Sequence, residues 1–168
     1  PELGTSAIPT ITKSKIFHPR LKKSRRRFIN LIVISTPKVN NTNIKQGDKI
    51  IVHHNVFRRW QDVKHREKNS RSYFEEDKYF LSEDLIYAYN SGDGWKSLNG
   101  YCFIKPLKSI DQFDMNDERP LIGVVKHSED IDKGSLVGFL PKLEYEFDID
   151  GERLYRIHYK FITIKYEY

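Results

Sequence analysis

Residues 44–53 read IKQGDKIIVH, and this stretch decides the fold class. A polar step leads to Gly47, and a run rich in β-branched residues follows soon after it. Residues 131–139 read IDKGSLVGF and repeat this order around Gly134. Glycine adopts turn conformations that a side chain would forbid, and short β-branched runs after such turns are typical of buried strands. We therefore predict an internal repeat built from β structure.

Period-two alternation and many β-branched or aromatic residues predict further strands around these two stretches. No window of the sequence shows the sustained apolar spacing of an amphipathic helix. We therefore predict an all-β protein with little or no helix. The predicted strands span residues 27–35, 48–54, 78–81 and 85–89 in the first copy, and residues 101–107, 122–126, 135–140, 143–149, 153–158 and 161–166 in the second.

The two copies differ in length at one place. Tyr79 lies 32 residues after Gly47, whereas its counterpart Tyr155 lies 21 residues after Gly134. The first copy therefore carries an insertion of about 11 residues. We place this insertion in the polar, basic stretch at residues 58–72 and expect it to be a loop.

A turn-forming cluster, NSGDG at residues 90–94, separates the two copies. We predict two tandem small β-barrels, residues 1–92 and residues 93–168, with a mobile basic segment at the start of the first. Barrels of this size have thin cores and are marginally stable alone. We therefore expect the protein to form homo-oligomers.

The composition of the 168-residue chain narrows its class. Aromatic residues make up 13% of the chain, which argues against a wholly disordered protein. No apolar run approaches the roughly 20 residues of a membrane-spanning helix, so we expect no membrane partner. A single cysteine, Cys102, excludes an intramolecular disulfide and is typical of a reducing compartment. The sequence begins with Pro1 and not with Met, so we expect a trimmed protein. No secretory signal follows, so we expect it in the cytoplasm.

No group of residues predicts catalysis or metal binding. His53 and His54 are adjacent in a predicted strand, so we expect their side chains on opposite faces, where they cannot easily share a metal ion. The carboxylates cluster at turns, and the sequence has no phosphate-binding glycine loop and no nucleophile with a partner base. We therefore expect no enzymatic activity, no cofactor and no metal site.

The basic run Lys22–Arg27 points to a different class of function. A β-barrel with exposed aromatic residues can bind single-stranded nucleic acid through stacking and charge. Solvated, mutually repelling surface charge also explains such clusters, and we favour that interpretation over nucleic acid as a partner. The second concentration of basic residues lies in the insertion, at Arg58, Arg59, Lys64, Arg66, Lys68 and Arg71.

Several of these stretches resemble the GroES-like co-chaperonin family. Residues 44–52 (IKQGDKIIV) and 79–88 (YFLSEDLIYA) are similar to the family's glycine–aspartate step and its closing strand. Two divergent copies in tandem are similar to the co-chaperonin-like proteins of tailed bacteriophages. In the second copy, residues 101–107 (YCFIKPL) resemble the family's opening strand, Gly123–Val125 its next strand, residues 133–139 (KGSLVGF) the glycine–aspartate step, and residues 147–155 (FDIDGERLY) its penultimate hairpin.

The resemblance implies a homo-oligomeric ring that caps an ATP-driven, GroEL-like chaperonin and assists protein folding. A phage capsid protein is one candidate substrate, in the host cytoplasm. The family binds its chaperonin through a mobile loop between its first and second strands. No counterpart of the opening strand is visible in the first copy, and we expect it to precede Pro1. The loop candidates are therefore the segment before Phe28, with Ile8 and Ile11, and the segment 108–120, with Ile110, Phe113 and Met115.

Two alternatives remain beside the co-chaperonin. One is a nucleic-acid-binding β-barrel protein that uses residues 22–27, and the other is a viral structural or interaction module built on the same barrel. A ring in solution favours the co-chaperonin, whereas a monomer that is retarded on a heparin or DNA column favours nucleic-acid binding.

Overall fold

The computed structural model describes residues 10–13, 30–36, 42–109 and 118–166. Short strands joined by turns make up most of these ranges, which confirms the predicted all-β class. Helical structure in them is limited to single turns, and none is long and apolar enough to cross a membrane. These turns are three short 3-10 helices at His54–Phe57, Glu83–Leu85 and Tyr159–Phe161. The described residues form two compact units that divide between Trp95 and Lys96.

The first unit contains a seven-stranded sheet and a separate two-stranded hairpin. Its strands are β1 (Thr10–Lys13), β2 (Asn30–Val33), β3 (Lys49–Val52), β4 (Arg59–Gln61), β5 (Glu67–Asn69), β6 (Tyr73–Glu75), β7 (Lys78–Phe80), β8 (Ile86–Asn90) and β9 (Trp95–Ser97), the last of which crosses the boundary between the units. The sheet has the strand order β6-β7-β1-β2-β3-β8-β9, and within the described residues β4 pairs only with β5.

The second unit contains one six-stranded antiparallel sheet. Its strands are β10 (Tyr101–Lys108), β11 (Glu118–His127), β12 (Leu136–Phe139), β13 (Tyr145–Ile149), β14 (Glu152–His158) and β15 (Ile162–Tyr166). They lie in the order β13-β14-β10-β11-β12-β15. If the β4–β5 hairpin and β9 are set aside, this order repeats that of the first sheet strand for strand. The internal repeat predicted from the sequence is therefore present in the topology.

The register of the two sheets agrees as well as their strand order. In each sheet, the first strand lies between the second strand and a later strand that contains the matched tyrosine. In the first sheet β1 lies between β2 and β7, and in the second β10 lies between β11 and β14. The matched positions are Ile11 with Ile104, Val33 with Val125, and Tyr79 with Tyr155.

The two glycines that anchor the sequence repeat perform the same task in the two units. Gly47 and Gly134 both have φ +91°, in the left-handed region that L side chains rarely adopt. The Gly47 N–H donates to the Val33 carbonyl at 2.8 Å, and the Gly134 N–H donates to the Val125 carbonyl at 2.8 Å. Each glycine therefore turns the chain into the third strand while it hydrogen-bonds to the second.

Each unit has its own apolar core, formed by the buried sides of its strands. Fully buried core residues of the first unit include Leu31, Ile50, Val52, Val56 and Leu81, and those of the second include Cys102, Phe103, Ile104, Val125, Val137, Leu154 and Ile157.

The opening strand of the first copy was predicted to precede Pro1, and this prediction is wrong. β1 lies at Thr10–Lys13, between β7 and β2, where β10 lies in the second sheet. Four residues flanked by polar chain and prolines carry too little alternation to predict a strand. The strand forms because hydrogen-bonding partners from distant parts of the chain lie on both sides of it.

The insertion lies where the sequence predicted it, between the third strand and the β6–β7 pair, but it is not a loop. Residues 59–69 form the β4–β5 hairpin with its own ladder of paired residues. The predicted closure into barrels is not confirmed. Within the described ranges, both sheets are open, with β6 and β9 at the edges of one and β13 and β15 at the edges of the other.

Candidate functional site

The two predicted binding segments correspond to equivalent connections in the two sheets. β1 ends at Lys13 and β2 begins at Asn30, so residues 14–29 join the first and second strands of the first sheet. β10 ends at Lys108 and β11 begins at Glu118, so residues 109–117 join the same two strands of the second sheet. Ile110, Phe113 and Met115 belong to the second connection and lie outside the described residues, as Ile8 does before β1.

Ile11 lies within a strand and not in a connection. It is opposite Val33 in β2 and Tyr79 in β7. Its equivalent in the second sheet, Ile104, is completely buried. The predicted segment before Phe28 is therefore divided by β1, and only the part after Lys13 joins the first and second strands.

A cluster of charged and hydroxyl groups holds the start of β11, where the second connection ends. Glu118, the first residue of β11, accepts a hydrogen bond from Arg153 Nη1 at 2.5 Å and another from the Tyr155 hydroxyl at 2.7 Å. Arg153 also bridges to Glu146, with 2.9 Å between Nε and Oε1. These contacts tie β11 to β13 and β14, so residues 109–117 start and finish on a fixed part of the sheet.

Burial and the Glu118 carboxylate shift the protonation equilibrium of Tyr155. Desolvation, with the hydrogen bond to Glu118 next in size, raises the pKa of Tyr155 to about 12. The phenol therefore stays protonated at neutral pH and remains a hydrogen-bond donor to Glu118. Arg153 lies over the Tyr155 ring at 5.4 Å, which adds a cation–π contact to the cluster.

The prediction that His53 and His54 point to opposite faces is wrong. β3 ends at Val52, so the two histidines lie beyond the strand, where alternation no longer applies. Their rings stack with centroids 4.4 Å apart. His53 Nδ1 accepts a hydrogen bond from the Asn55 N–H at 3.1 Å and caps the helical turn that follows. Nowhere in the described residues do three or more His, Cys, Asp or Glu side chains meet in a group that could hold a metal ion.

The outer face of the second sheet is apolar beside the β15 edge. Ile164 is 51% exposed and Tyr166 38% exposed. In the described part of the chain, β15 is hydrogen-bonded on one side only. An edge strand with exposed apolar side chains is a site where another chain can add to a sheet. Two cross-strand rows lead to this edge, Ile122–Gly138–Ile164 and Val124–Leu136–Tyr166.

Sequence reasoning missed both the Glu118 cluster and the β15 edge. Glu118 lies 35 residues before Arg153, and each charged member of the cluster resembles an ordinary surface charge until the strands pair. The alternation of Ile162, Ile164 and Tyr166 predicted a strand, but not that one of its edges would lack a neighbour.

Comparison with known proteins adds no family assignment. No protein-family model matches the sequence, and no curated protein is similar enough to be identified as a relative. The resemblance to GroES-like co-chaperonins therefore depends on the residues quoted from the sequence itself.

Proposed function

We propose that this protein is a co-chaperonin, which assembles into a ring of small β-barrel units, caps an ATP-driven chaperonin and assists protein folding. One observation carries the proposal. The two sheets share one strand order, and both place a connection of nine residues or more between the first and second strands. In the family that the sequence resembles, this connection is the segment that binds the chaperonin.

The composition of the two connections suits reversible binding. A segment with a few apolar residues loses conformational entropy when it binds, so its affinity per site is modest. A ring that presents many copies recovers affinity through multivalency. The large apolar residues are Ile16, Phe17, Leu21, Phe28 and Ile29 in residues 14–29, and Ile110, Phe113 and Met115 in residues 109–117.

The β15 edge supports the self-association that a ring requires. Its outer face exposes Ile164 and Tyr166 next to backbone groups with no strand partner in the described residues. Burying apolar surface of this kind stabilises a contact by about 25 cal/mol per Å². A strand from a second copy would pair the free edge and place its own side chains next to Ile164 and Tyr166.

The proposal is tested with the purified chain and a GroEL-like chaperonin. Light scattering after size-exclusion chromatography should give the mass of a ring, and the protein should co-sediment with the chaperonin only when nucleotide is present. Replacing Ile110, Phe113 and Met115 together by serine should leave the ring intact and weaken co-sedimentation, since each buried apolar side chain contributes roughly 1.5–3 kcal/mol per site. The same triple change at Ile16, Phe17 and Leu21 tests the other connection.

A control variant and a separate test of Ile8 complete this experiment. Val63→Ser removes an apolar side chain that is 97% exposed on the β4–β5 hairpin, outside both connections, and should not change co-sedimentation. Ile8→Asp tests the segment before β1 separately. Ile11→Asp is unsuitable, because Ile11 lies within β1 and aspartate disfavours strands. A wild-type protein that is monomeric and never pellets with the chaperonin would refute the proposed function.

A further inference from the structure

The β4–β5 hairpin projects from the first unit and contributes nothing to its core. All six residues of its two strands are exposed. A hydrogen bond from Ser70 Oγ to the Val56 carbonyl joins the base of the hairpin to the buried Val56. In the second unit, the equivalent chain between β12 and β13 is a short turn with no hairpin. The hairpin is therefore an addition to the strands that the two units share.

The tip of the hairpin is held in one conformation by Asp62. Its Oδ1 accepts hydrogen bonds from the Lys64 N–H at 2.8 Å and the Arg66 N–H at 3.0 Å, and its Oδ2 accepts one from Arg66 Nε at 3.0 Å. The bond to the Arg66 backbone is the largest influence on this carboxyl group and lowers the pKa of Asp62. A turn braced in this way presents the side chains of both strands in a fixed arrangement.

Most of the positive charge on the hairpin is not neutralised. Residues 58–72 contain six Lys or Arg and two Asp or Glu. Arg59 bridges to Glu67, and Arg66 bridges to Asp62. The other four cations form no ion pair within the described ranges, and they are Arg58, Lys64, Lys68 and Arg71.

An exposed tryptophan lies among these cations. Trp60 is 44% exposed, and the ladder places it opposite Lys68. Cross-strand partners lie on one face, about 4.5–5.5 Å apart between Cβ atoms. Arg58 immediately precedes β4, and Lys64 lies in the turn that joins β4 to β5. The hairpin thus combines an exposed indole ring with a lysine directly across the ladder and with further cations beside the strands.

We propose that the β4–β5 hairpin binds single-stranded nucleic acid, with Trp60 stacked on a base and Arg58, Lys64 and Lys68 against the phosphates. Base stacking on an aromatic side chain requires no pocket, because every base has a π-face. Cations spread along the length of the hairpin match a polymer that carries one charge per nucleotide. A duplex satisfies the charge but not Trp60, because its base faces are covered by stacking. This inference does not depend on the proposed co-chaperonin function.

Fluorescence provides a direct test, because the chain has two tryptophans and Trp95 is buried. A 20-nucleotide oligothymidylate should quench the emission of Trp60, and Trp60→Ala should abolish that quenching. By anisotropy of the labelled oligonucleotide, Trp60→Ala should weaken binding about 5- to 150-fold. Unquenched emission, or a Trp60→Ala variant that binds as tightly as the wild type, would overturn the proposal.

The electrostatic part is tested with a charge-matched pair of double variants. Lys64→Ala with Lys68→Ala removes two hairpin cations, and Lys96→Ala with Lys133→Ala removes two exposed lysines elsewhere. The slope of log K against log salt concentration should become shallower by about 1.4 in the hairpin variant, since each phosphate contact to a single strand contributes about 0.7. The control should keep the wild-type slope. Because Lys22–Arg27 is present in every variant, its contribution cancels. Equal losses in both variants would refute a site on the hairpin.

Competition distinguishes the ligand class. Unlabelled oligothymidylate should displace the labelled strand, whereas poly-glutamate of equal charge, a 20-base-pair duplex and phosphatidylserine vesicles should compete at least tenfold less well. Equal competition by poly-glutamate would identify an acidic protein surface as the partner. Equal competition by the duplex or the vesicles would identify a purely electrostatic surface, and either result would overturn the assignment.

Discussion

Gly123 lies where the second sheet has no room for a side chain, and its replacement tests the register of that sheet. It is opposite Pro106 in the β10–β11 ladder. A Cβ atom added at Gly123 would lie 2.4 Å from Ile104 Cγ2 and 2.6 Å from the Lys105 carbonyl oxygen. Carbon atoms in good contact are about 3.5–4.0 Å apart. Because one of the obstructing atoms is backbone, rotation of a side chain cannot relieve the overlap.

We expect Gly123→Ala to lower the stability of the second unit by roughly 1–3 kcal/mol, the usual cost of overpacking. For a domain of this size, each kcal/mol lowers Tm by about 4–8 °C. Gly138→Ala is the matched control in the neighbouring strand. Its added methyl group would meet no atom closer than 3.7 Å, which is ordinary van der Waals contact. Removing a glycine where space allows should be neutral or stabilise by up to about 1 kcal/mol.

Cys102 allows the unfolding of the second unit to be measured separately from that of the first. It is the only cysteine in the sequence, it is completely buried, and burial raises the pKa of its thiol, which slows its reaction in the folded state. Maleimide labelling of Cys102 at increasing urea concentration should show a lower unfolding midpoint for Gly123→Ala than for the wild type. The midpoint of Gly138→Ala should not be lower than that of the wild type. Equal midpoints for Gly123→Ala and wild type, or a larger loss for Gly138→Ala, would refute the register described for β10 and β11.

Two further predictions concern polar contacts. Asp48→Ala should destabilise the first unit by roughly 1–3 kcal/mol, measured by urea unfolding. The reason is that Asp48 Oδ2 accepts hydrogen bonds from both the Lys45 N–H and Ser91 Oγ at 2.8 Å. Ser91→Ala should destabilise the unit less, and a larger loss for Ser91→Ala than for Asp48→Ala would contradict this prediction. Tyr155→Phe should be less stable than wild type at pH 8, because it loses the bond to Glu118. The raised pKa of Tyr155 makes its contribution complete below pH 10 and lost as pH rises toward 12. The difference in stability between wild type and Tyr155→Phe should therefore narrow between about pH 10 and 12. Two pKa units correspond to about 2.7 kcal/mol, and the narrowing should be smaller than this because Tyr155 is partly exposed. A constant difference would argue against the hydrogen-bonded phenol.

Most of the strands were predictable because their residues carry the pattern locally. Every predicted strand overlaps an observed one, and the turns at Gly47 and Gly134 have the positive φ that the sequence implied. The missed strands β1, β4, β5, β6 and β9 are each three or four residues long. Alternation over so few residues cannot be told from chance, so these strands become visible only when a partner strand is present.

The candidate chaperonin-binding residues also divide into those that a local pattern predicts and those that depend on long-range pairing. The sequence predicted the segment with Ile110, Phe113 and Met115 from its place after an opening strand, and the structure has that strand at β10. It misjudged Ile11, because the pairing of β1 with β2 and β7 is a long-range contact. The exposure of Trp60 also depends on tertiary structure, since the same residue in a core strand would be buried.

The sequence alone determined the all-β class, the duplication and the position of the insertion, because periodicity and the conformational needs of glycine act over a few neighbouring residues. Tertiary structure alone decided which strands are neighbours, which edges remain open and which charges meet. The Arg153–Glu118 pair shows the physical reason. Its two residues are 35 positions apart in the chain, and only the pairing of β10 with β11 and β14 brings them to 2.5 Å.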